Sequence, residues 1–125
     1  SHFELEFAGF LEQCKDVVAY AKNYLAVNFK LDYVNRDGNI SHYYPDFIVK
    51  LPKNRIVIVE TKGNADLDTP LKMERLRQWC EDVNKAQNEV RYECLYVEQE
   101  EFEKYGAKDF GELTKIFQCY KTNEQ

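Results

Sequence analysis

The chain has 125 residues, of which 44% are apolar and 31% are charged, and its formal net charge at pH 7 is −5. This length predicts a single domain with a hydrophobic core, and the composition excludes an intrinsically disordered chain. The sequence contains neither a signal-peptide pattern nor an apolar run of the roughly 18 residues that cross a bilayer, so we expect a cytoplasmic protein with no membrane association.

Hydrophobic periodicity predicts helices and strands in the order α-β-β-β-α-β-α. The predicted elements, in chain order, are a helix at 3–24, strands at 27–34, 40–51 and 55–62, a helix at 69–87, a strand at 91–97 and a helix at 109–120. The third strand, the long helix and the fourth strand form a right-handed βαβ unit in this prediction. The predicted fold class is therefore α/β, with a central mixed four-stranded sheet flanked by helices.

The four cysteines, at positions 14, 80, 94 and 119, form no CxxC pair, and the two histidines lack zinc-ligand spacing. Each cysteine has apolar neighbours. These features favour reduced, buried thiols over a disulfide framework or a zinc site.

Charged residues interrupt two apolar strands at specific positions. Asp46 precedes an apolar run in the second strand, and Glu60 and Lys62 end the third strand. Residues two apart on a strand share a face, so Glu60 and Lys62 point the same way. Ordinary alternatives are a residue at the start of a strand for Asp46 and a solvated ion pair for Glu60 and Lys62. Near-continuous apolar strands are typical of burial on both faces, which favours a functional reason for the charges.

The turn between these strands decides whether the charges meet. A three-residue turn at 52–54 would pair Leu51 with Arg55, and counting back along both strands would then place Asp46 opposite Glu60. A two-residue turn would shift the register by one residue and separate the two carboxylates.

Two facing carboxylates repel each other and need a compensating positive charge. Lys62 supplies one charge, and a hard divalent cation would supply more, because Mg²⁺ prefers oxygen ligands and binds through one or two carboxylates. The predicted ligands of Mg²⁺, for which Mn²⁺ can substitute, are Asp46, Glu60 and the backbone carbonyl of Thr61. Lys62 could orient or deprotonate an attacking water, or neutralise phosphoryl oxygens.

Pro45-Asp46 and Glu60-Thr61-Lys62 together reproduce the PD-(D/E)xK signature of a nuclease superfamily. The strings YYPDFIV and VETKG, with flanking elements from Glu4 to about Val97, resemble the endonuclease domain at the C-terminus of type III restriction enzymes (the Res subunit) and related helicase-nuclease proteins. The resemblance implies a restriction-endonuclease-like α/β/α sandwich. It also implies an Mg²⁺-dependent endonuclease that hydrolyses DNA phosphodiester bonds, with Asp46, Glu60 and Lys62 as catalytic residues.

Many members of this superfamily carry a further acidic residue on the first helix. Glu4 and Glu6 are the candidates here, and the Glu-x-x-Phe-Ala pattern favours Glu4 as the catalytic acid. Both residues are equally compatible with ordinary acids near a helix N-terminus.

The expected partner is DNA, in double-stranded form. Lys72, Tyr44 and Lys62 are the candidate DNA-binding residues, although Lys72 also suits a solvated helix face and Tyr44 an ordinary strand. The resemblance implies a helicase-like motor domain and a methylation subunit outside this chain, which has no GxxxxGK[ST] motif. Residues 1–125 are thus interpreted as a single nuclease domain from a larger restriction-system protein, whose other domains would offset the acidic charge. Self-association into a homo-oligomer is left open, and so is a catalytically silent nucleic-acid-binding or interaction domain of the same fold.

Overall fold

The computed structural model describes residues 1–23 and 28–118. Its helices and strands, in chain order, are α1 His2–Gln13, β1 Ala19–Lys22, β2 Leu31–Val34, β3 Ile40–Tyr43, β4 Phe47–Leu51, β5 Arg55–Lys62, α2 Thr69–Ala86, β6 Arg91–Glu98, α3 Gln99–Tyr105 and α4 Phe110–Ile116. None of the helices in these two ranges has both the length and the apolar character that a membrane crossing requires.

The central sheet is mixed and has the strand order β1-β4-β5-β6. β4 pairs antiparallel with both β1 and β5, whereas β5 and β6 are parallel and are connected through α2. This arrangement confirms the predicted α/β class with a mixed four-stranded sheet. The composition of the sheet differs from the prediction, because the segment at 27–34 contributes β2 to a separate two-stranded hairpin with β3. Residue 27 itself lies outside the described residues.

The predicted first helix is too long. α1 ends at Gln13, and Ala19–Lys22 instead forms the edge strand β1 of the sheet. The backbone N–H of Val18 donates a 2.8 Å hydrogen bond to the carbonyl of Lys50, and the β1–β4 ladder continues from there. Pairing with a distant strand therefore overrides a helical apolar spacing that continues past the end of the helix. Position 24, the predicted helix end, is outside the described residues.

The connection between α1 and β1 also secures the last helix. Both carboxylate oxygens of Asp16 accept backbone hydrogen bonds at the start of α4, from Phe110 at 3.0 Å and from Gly111 at 2.8 Å. A carboxylate there satisfies amides that have no partner within the helix. α4 ends at Ile116 rather than near 120, and residues 119–120 are beyond the described part of the chain.

The predicted strand at 40–51 is two strands in different sheets. β3 ends at Tyr43 and β4 begins at Phe47, with Pro45 between them. Proline has no N–H to donate to a ladder, which explains the interruption. The carbonyl of Pro45 instead accepts a 2.7 Å hydrogen bond from the amide Nδ2 of Asn23, directly after β1. The chain therefore changes sheets immediately before Asp46.

β5 is buried on both faces, as expected of a central strand with a parallel neighbour. Val57 and Val59 pack into a hydrophobic cluster with α1 and α4, whereas Ile58 packs with α2 and the β2–β3 hairpin. Phe7, Phe47 and Phe110 lie in the first cluster, and Met73, Leu76 and Tyr43 lie in the second. A charged residue at the end of β5 therefore enters a largely desolvated environment.

The cysteines differ from the prediction in one respect. Cys14 and Cys80 are buried free thiols, and burial raises the pKa of each to about 12. Cys94 is disulfide-bonded, so the expectation of reduced thiols is wrong for this residue. Sequence spacing does not show which distant cysteines the fold brings together. Cys119 lies outside the described residues.

Candidate metal centre

The β4–β5 hairpin has the register that brings the predicted carboxylates together. Leu51 pairs with Arg55 across a three-residue turn, and the ladder runs to the pair Phe47 and Val59. Lys53 and Asn54 adopt left-handed backbone conformations in the turn, with φ of 64° and 59°. One step beyond the last ladder pair, Asp46 faces Glu60.

Asp46 is fixed to the end of β5 through Thr61. Its Oδ2 accepts a 2.9 Å hydrogen bond from the backbone N–H of Thr61 and a 2.7 Å hydrogen bond from the Thr61 hydroxyl. Burial raises the pKa of Asp46 above its ordinary value, against the lowering effect of these hydrogen bonds. The charge of Glu4 raises this pKa further, and that of Lys22 lowers it. The Asp46 carboxylate is therefore oriented by the fold but incompletely neutralised.

Glu60 is the most deeply buried acid of the site, with a relative exposure of 5%. The Tyr43 hydroxyl donates a 2.8 Å hydrogen bond to its Oε1, and the Lys62 Nζ lies 3.9 Å from its Oε2. Burial first, and then the charge of Asp46, raise the pKa of Glu60 to about 8. A second carboxylate close by in a low-dielectric environment raises the pKa of a buried acid, and a bound cation would lower that pKa again.

Lys62 and Lys72 share one further carboxylate. The Nζ atoms of Lys62 and Lys72 lie 3.8 Å and 3.6 Å from Oδ2 of Asp66, in the loop before α2. The other oxygen of Asp66 accepts a hydrogen bond from the Thr69 hydroxyl at the start of that helix. The positive charges of Lys62 and Lys72 also lower the pKa of Glu60. Both predicted phosphate-contacting lysines thus lie at the rim of the carboxylate pair.

The structure distinguishes between the two acids of α1. Glu4 forms a 2.8 Å ion pair with Lys22, and the negative charge of Glu4 raises the pKa of Asp46. Glu6 is exposed and lies close to Glu103 instead; desolvation first, and then the contact with Glu103, raise its pKa. Of the two alternatives that the sequence leaves open, Glu4 is the one placed beside the carboxylate pair.

Sequence reasoning missed three residues that shape this site. Lys22 and Asn23 were assigned to the first helix, whereas β1 places Lys22 level with Phe47 and lets the N–H of Asn23 donate to the Asp46 carbonyl at 2.7 Å. Tyr43 is 3% exposed and donates a hydrogen bond to Glu60. The sole sequence signal for Tyr43 was its position just before Pro45-Asp46.

Tyr44, the remaining predicted DNA-binding residue, lies at the surface. Its side chain is 41% exposed. Within residues 1–23 and 28–118, no hydrogen bond connects it with Asp46 or Glu60. A contact with DNA through Tyr44 stays a prediction.

The donor set suits a hard divalent cation. One oxygen of each carboxylate is used by the fold, and in the described ranges no hydrogen bond reaches Oδ1 of Asp46 or Oε2 of Glu60. No group of three acidic, histidine or cysteine side chains converges in those ranges in a way that could hold a metal. Asp46 and Glu60 would therefore need the Thr61 carbonyl and water to complete a coordination shell. Mg²⁺ commonly retains several waters, so this set fits it.

Comparisons of the chain with protein-family models, with curated proteins and with solved structures found no match.

Proposed function

We propose that this chain is a divalent-metal-dependent endodeoxyribonuclease domain with the restriction-endonuclease-like α/β/α fold. The observation that carries the proposal is the pair of desolvated carboxylates, Asp46 and Glu60, at the same end of adjacent strands with the Lys62 ammonium beside them. The mixed four-stranded sheet, with helices packed against both faces, supports the fold assignment.

Asp46 and Glu60 would hold Mg²⁺ or Mn²⁺, with the Thr61 carbonyl as a further ligand. The bound cation would supply Lewis-acid stabilisation of the negative charge that develops on the scissile phosphodiester. Thr61 fixes the orientation of Asp46 through two hydrogen bonds, and Tyr43 fixes that of Glu60. Such outer contacts preorganise the ligands and raise their affinity for a metal.

Lys62 extends from the strand that carries Glu60 and is only partly exposed. In the proposed reaction its ammonium group orients the attacking water or neutralises a phosphoryl oxygen. Asp66 attracts both Lys62 and Lys72 and so keeps two positive charges at the rim before substrate arrives.

We assign DNA capture largely to other parts of a type III-like restriction or helicase-nuclease protein in the cytoplasm. The net charge of −5 gives this chain a weak electrostatic attraction for a polyanion. A helicase-like motor and a methylation subunit would supply duplex binding and sequence recognition.

Nicking of supercoiled plasmid in Mg²⁺ or Mn²⁺, combined with calorimetric metal titration, tests this proposal. We expect Asp46→Asn, Glu60→Gln and Lys62→Met each to lower the nicking rate at least about 100-fold. Glu93→Gln is the matched control, because Glu93 is a partly buried carboxylate in the same sheet whose partner is Arg55. The proposal fails if no metal binds at millimolar concentration and the purified chain leaves the plasmid intact.

A catalytically silent nucleic-acid-binding or interaction domain is the second candidate. It is favoured by the contacts that Tyr43 and Lys62 make with the buried Glu60 carboxylate, which give this acid partners from within the fold. In that case Asp46→Asn and Glu60→Gln would leave DNA binding unchanged, and neither Mg²⁺ nor Mn²⁺ would raise the unfolding temperature of the wild-type protein. A metal-induced rise that both variants abolish favours the nuclease.

A further inference from the structure

Lys22 pairs with the acid of α1 and lies next to the segment that carries Asp46. Its Nζ is 2.8 Å from Oε1 of Glu4, and its charge acts on Asp46 in the direction opposite to that of Glu4. The same ammonium lies 5.6 Å from the centroid of the Phe47 ring, a distance suited to a cation–π contact. Two separate groups, the Glu4 carboxylate and the Phe47 ring, therefore hold the Lys22 ammonium at this place.

The backbone fixes Lys22 there. Lys22 is the ladder partner of Phe47, and the next residue, Asn23, donates its N–H to the carbonyl of Asp46 at 2.7 Å. The side-chain amide of Asn23 also donates to the carbonyl of Pro45 at 2.7 Å. The end of β1 is thus attached to the segment that carries Asp46. These backbone contacts place the Cα of Lys22 beside the candidate site.

Glu4 is the third acid that could contribute to metal binding. Its side chain is 26% exposed and lies with Lys22 and Phe47 along a surface cleft of about 380 Å³. Its carboxylate is occupied by Lys22, and no third acidic, histidine or cysteine side chain of the described ranges converges with Asp46 and Glu60 to form a metal site. The Lys22 side chain is 37% exposed, and a second divalent ion between Asp46 and Glu4 would lie beside its ammonium group, which repels another cation.

We infer that Lys22 takes the place of a second divalent cation and restricts the site to one metal ion. This inference rests on the proposed function, because it presupposes that Asp46 and Glu60 bind a divalent cation. Lys22 is a positioning residue in this scheme: it neutralises Glu4 and limits the number of ions that the three carboxylates can hold.

Titration of the full chain with Mn²⁺, followed by the loss of the free-ion electron paramagnetic resonance signal, counts the bound ions. We expect one tightly bound Mn²⁺ in the wild type and two in Lys22→Met. Lys22→Arg keeps the charge and should bind one. Lys50→Met, an exposed lysine on the neighbouring strand β4, removes the same charge elsewhere in the sheet and should also bind one.

Glu4→Gln locates the additional ion. The double variant Glu4→Gln/Lys22→Met should return to one bound Mn²⁺, because the second ion needs the Glu4 carboxylate. Glu4→Gln alone should bind one ion with little change in affinity.

Circular dichroism and thermal unfolding establish that each variant is folded, and Lys22→Gln replaces Lys22→Met if the methionine variant does not fold. Two ions in the wild type, or a single ion in both neutral Lys22 variants, overturn the inference and leave the nuclease proposal intact. Absence of any bound Mn²⁺ in the wild type overturns the nuclease proposal together with the inference.

Discussion

The phenol of Tyr43 donates a 2.8 Å hydrogen bond to the Glu60 carboxylate, and both side chains are almost fully excluded from water. The two residues belong to different sheets, since Tyr43 ends β3 and Glu60 lies near the end of β5. This contact therefore couples the small hairpin to the strand that carries the proposed metal ligand.

Tyr43→Phe should destabilise the protein most when Glu60 is ionised. Removing the donor leaves a buried carboxylate oxygen without its partner, which costs on the order of 1–3 kcal/mol. We expect this loss in urea unfolding at pH 9, and a smaller loss at pH 5, where Glu60 is protonated in the folded protein. Tyr44→Phe removes an exposed hydroxyl next to it and should change the free energy of unfolding little at either pH. Equal effects of the two variants would contradict the coupling.

The metal-free protein should lose stability as the pH rises from about 4.5 to about 8. The pKa of Glu60 in the folded state is raised to about 8 from 4.5, so the folded protein binds its proton more tightly than the unfolded chain does. The penalty is absent below pH 4.5 and fully present above pH 8, and it amounts to roughly 5 kcal/mol at 1.36 kcal/mol per pH unit. Glu60→Gln should remove the part of this dependence that Glu60 contributes, while the raised pKa of Asp46 leaves a part of the same sign.

Chemical denaturation of wild type and Glu60→Gln between pH 4 and 9 measures the difference. The two free energies of unfolding should diverge as the pH rises, with the variant more stable above pH 8. Saturating Mg²⁺ should narrow the gap by stabilising the wild type, because a ligand that binds the folded state stabilises it by mass action. Parallel pH profiles of the two proteins would show that Glu60 titrates normally.

Thr61→Val should weaken metal binding without altering the ligands. The substitution is close to isosteric and removes the hydroxyl that donates to Oδ2 of Asp46 at 2.7 Å, while the backbone donor remains. Losing such an outer contact typically costs 10- to 100-fold in metal affinity, and we expect roughly 10-fold here. Thr114→Val removes a hydroxyl donor from α4 and serves as the control. Calorimetric titration measures the affinity of both variants for Mn²⁺. An unchanged affinity in Thr61→Val would argue against Asp46 as a ligand.

Lys72→Gln should weaken binding to duplex DNA and reduce its dependence on salt. Lys72 lies 3.6 Å from Asp66 at the rim of the site, where a phosphate could replace that carboxylate as its partner. Each phosphate contact contributes close to one unit of slope in a plot of log affinity against log salt concentration. Lys53→Gln, in the β4–β5 turn at the other end of the strands, should leave the slope unchanged. Fluorescence anisotropy at several salt concentrations measures both variants.

The β4–β5 hairpin, α2 and β6 were predictable because their signals are local. The sequence predicts the hairpin and leaves a two- or three-residue turn open, and the structure has the three-residue turn, whose register brings Asp46 and Glu60 together. The placement of Lys62 beside Glu60 follows from the two-residue period of a strand. The central part of the candidate site therefore follows from the sequence once the length of the turn is known.

The other parts of the fold and of the candidate site depend on contacts between segments that are distant in the sequence. The apolar spacing of α1 continues past Gln13, and only pairing with β4 shows that Ala19–Lys22 is a strand. Lys22 consequently could not be placed from the sequence. The burial of Tyr43 against Glu60 is likewise a tertiary result, because one sequence does not show how a hairpin packs on another sheet. The choice between Glu4 and Glu6 depended on the same kind of information.

The hydrogen bonds from Phe110 and Gly111 to Asp16 connect the two ends of the described chain. These bonds attach α4 to the connection that leads into β1, the strand that carries Lys22. A fusion that stopped before α4 would leave Asp16 without these partners. Any graft of this domain onto a foreign DNA-binding module should therefore retain both ends of that contact, from α1 through Ile116.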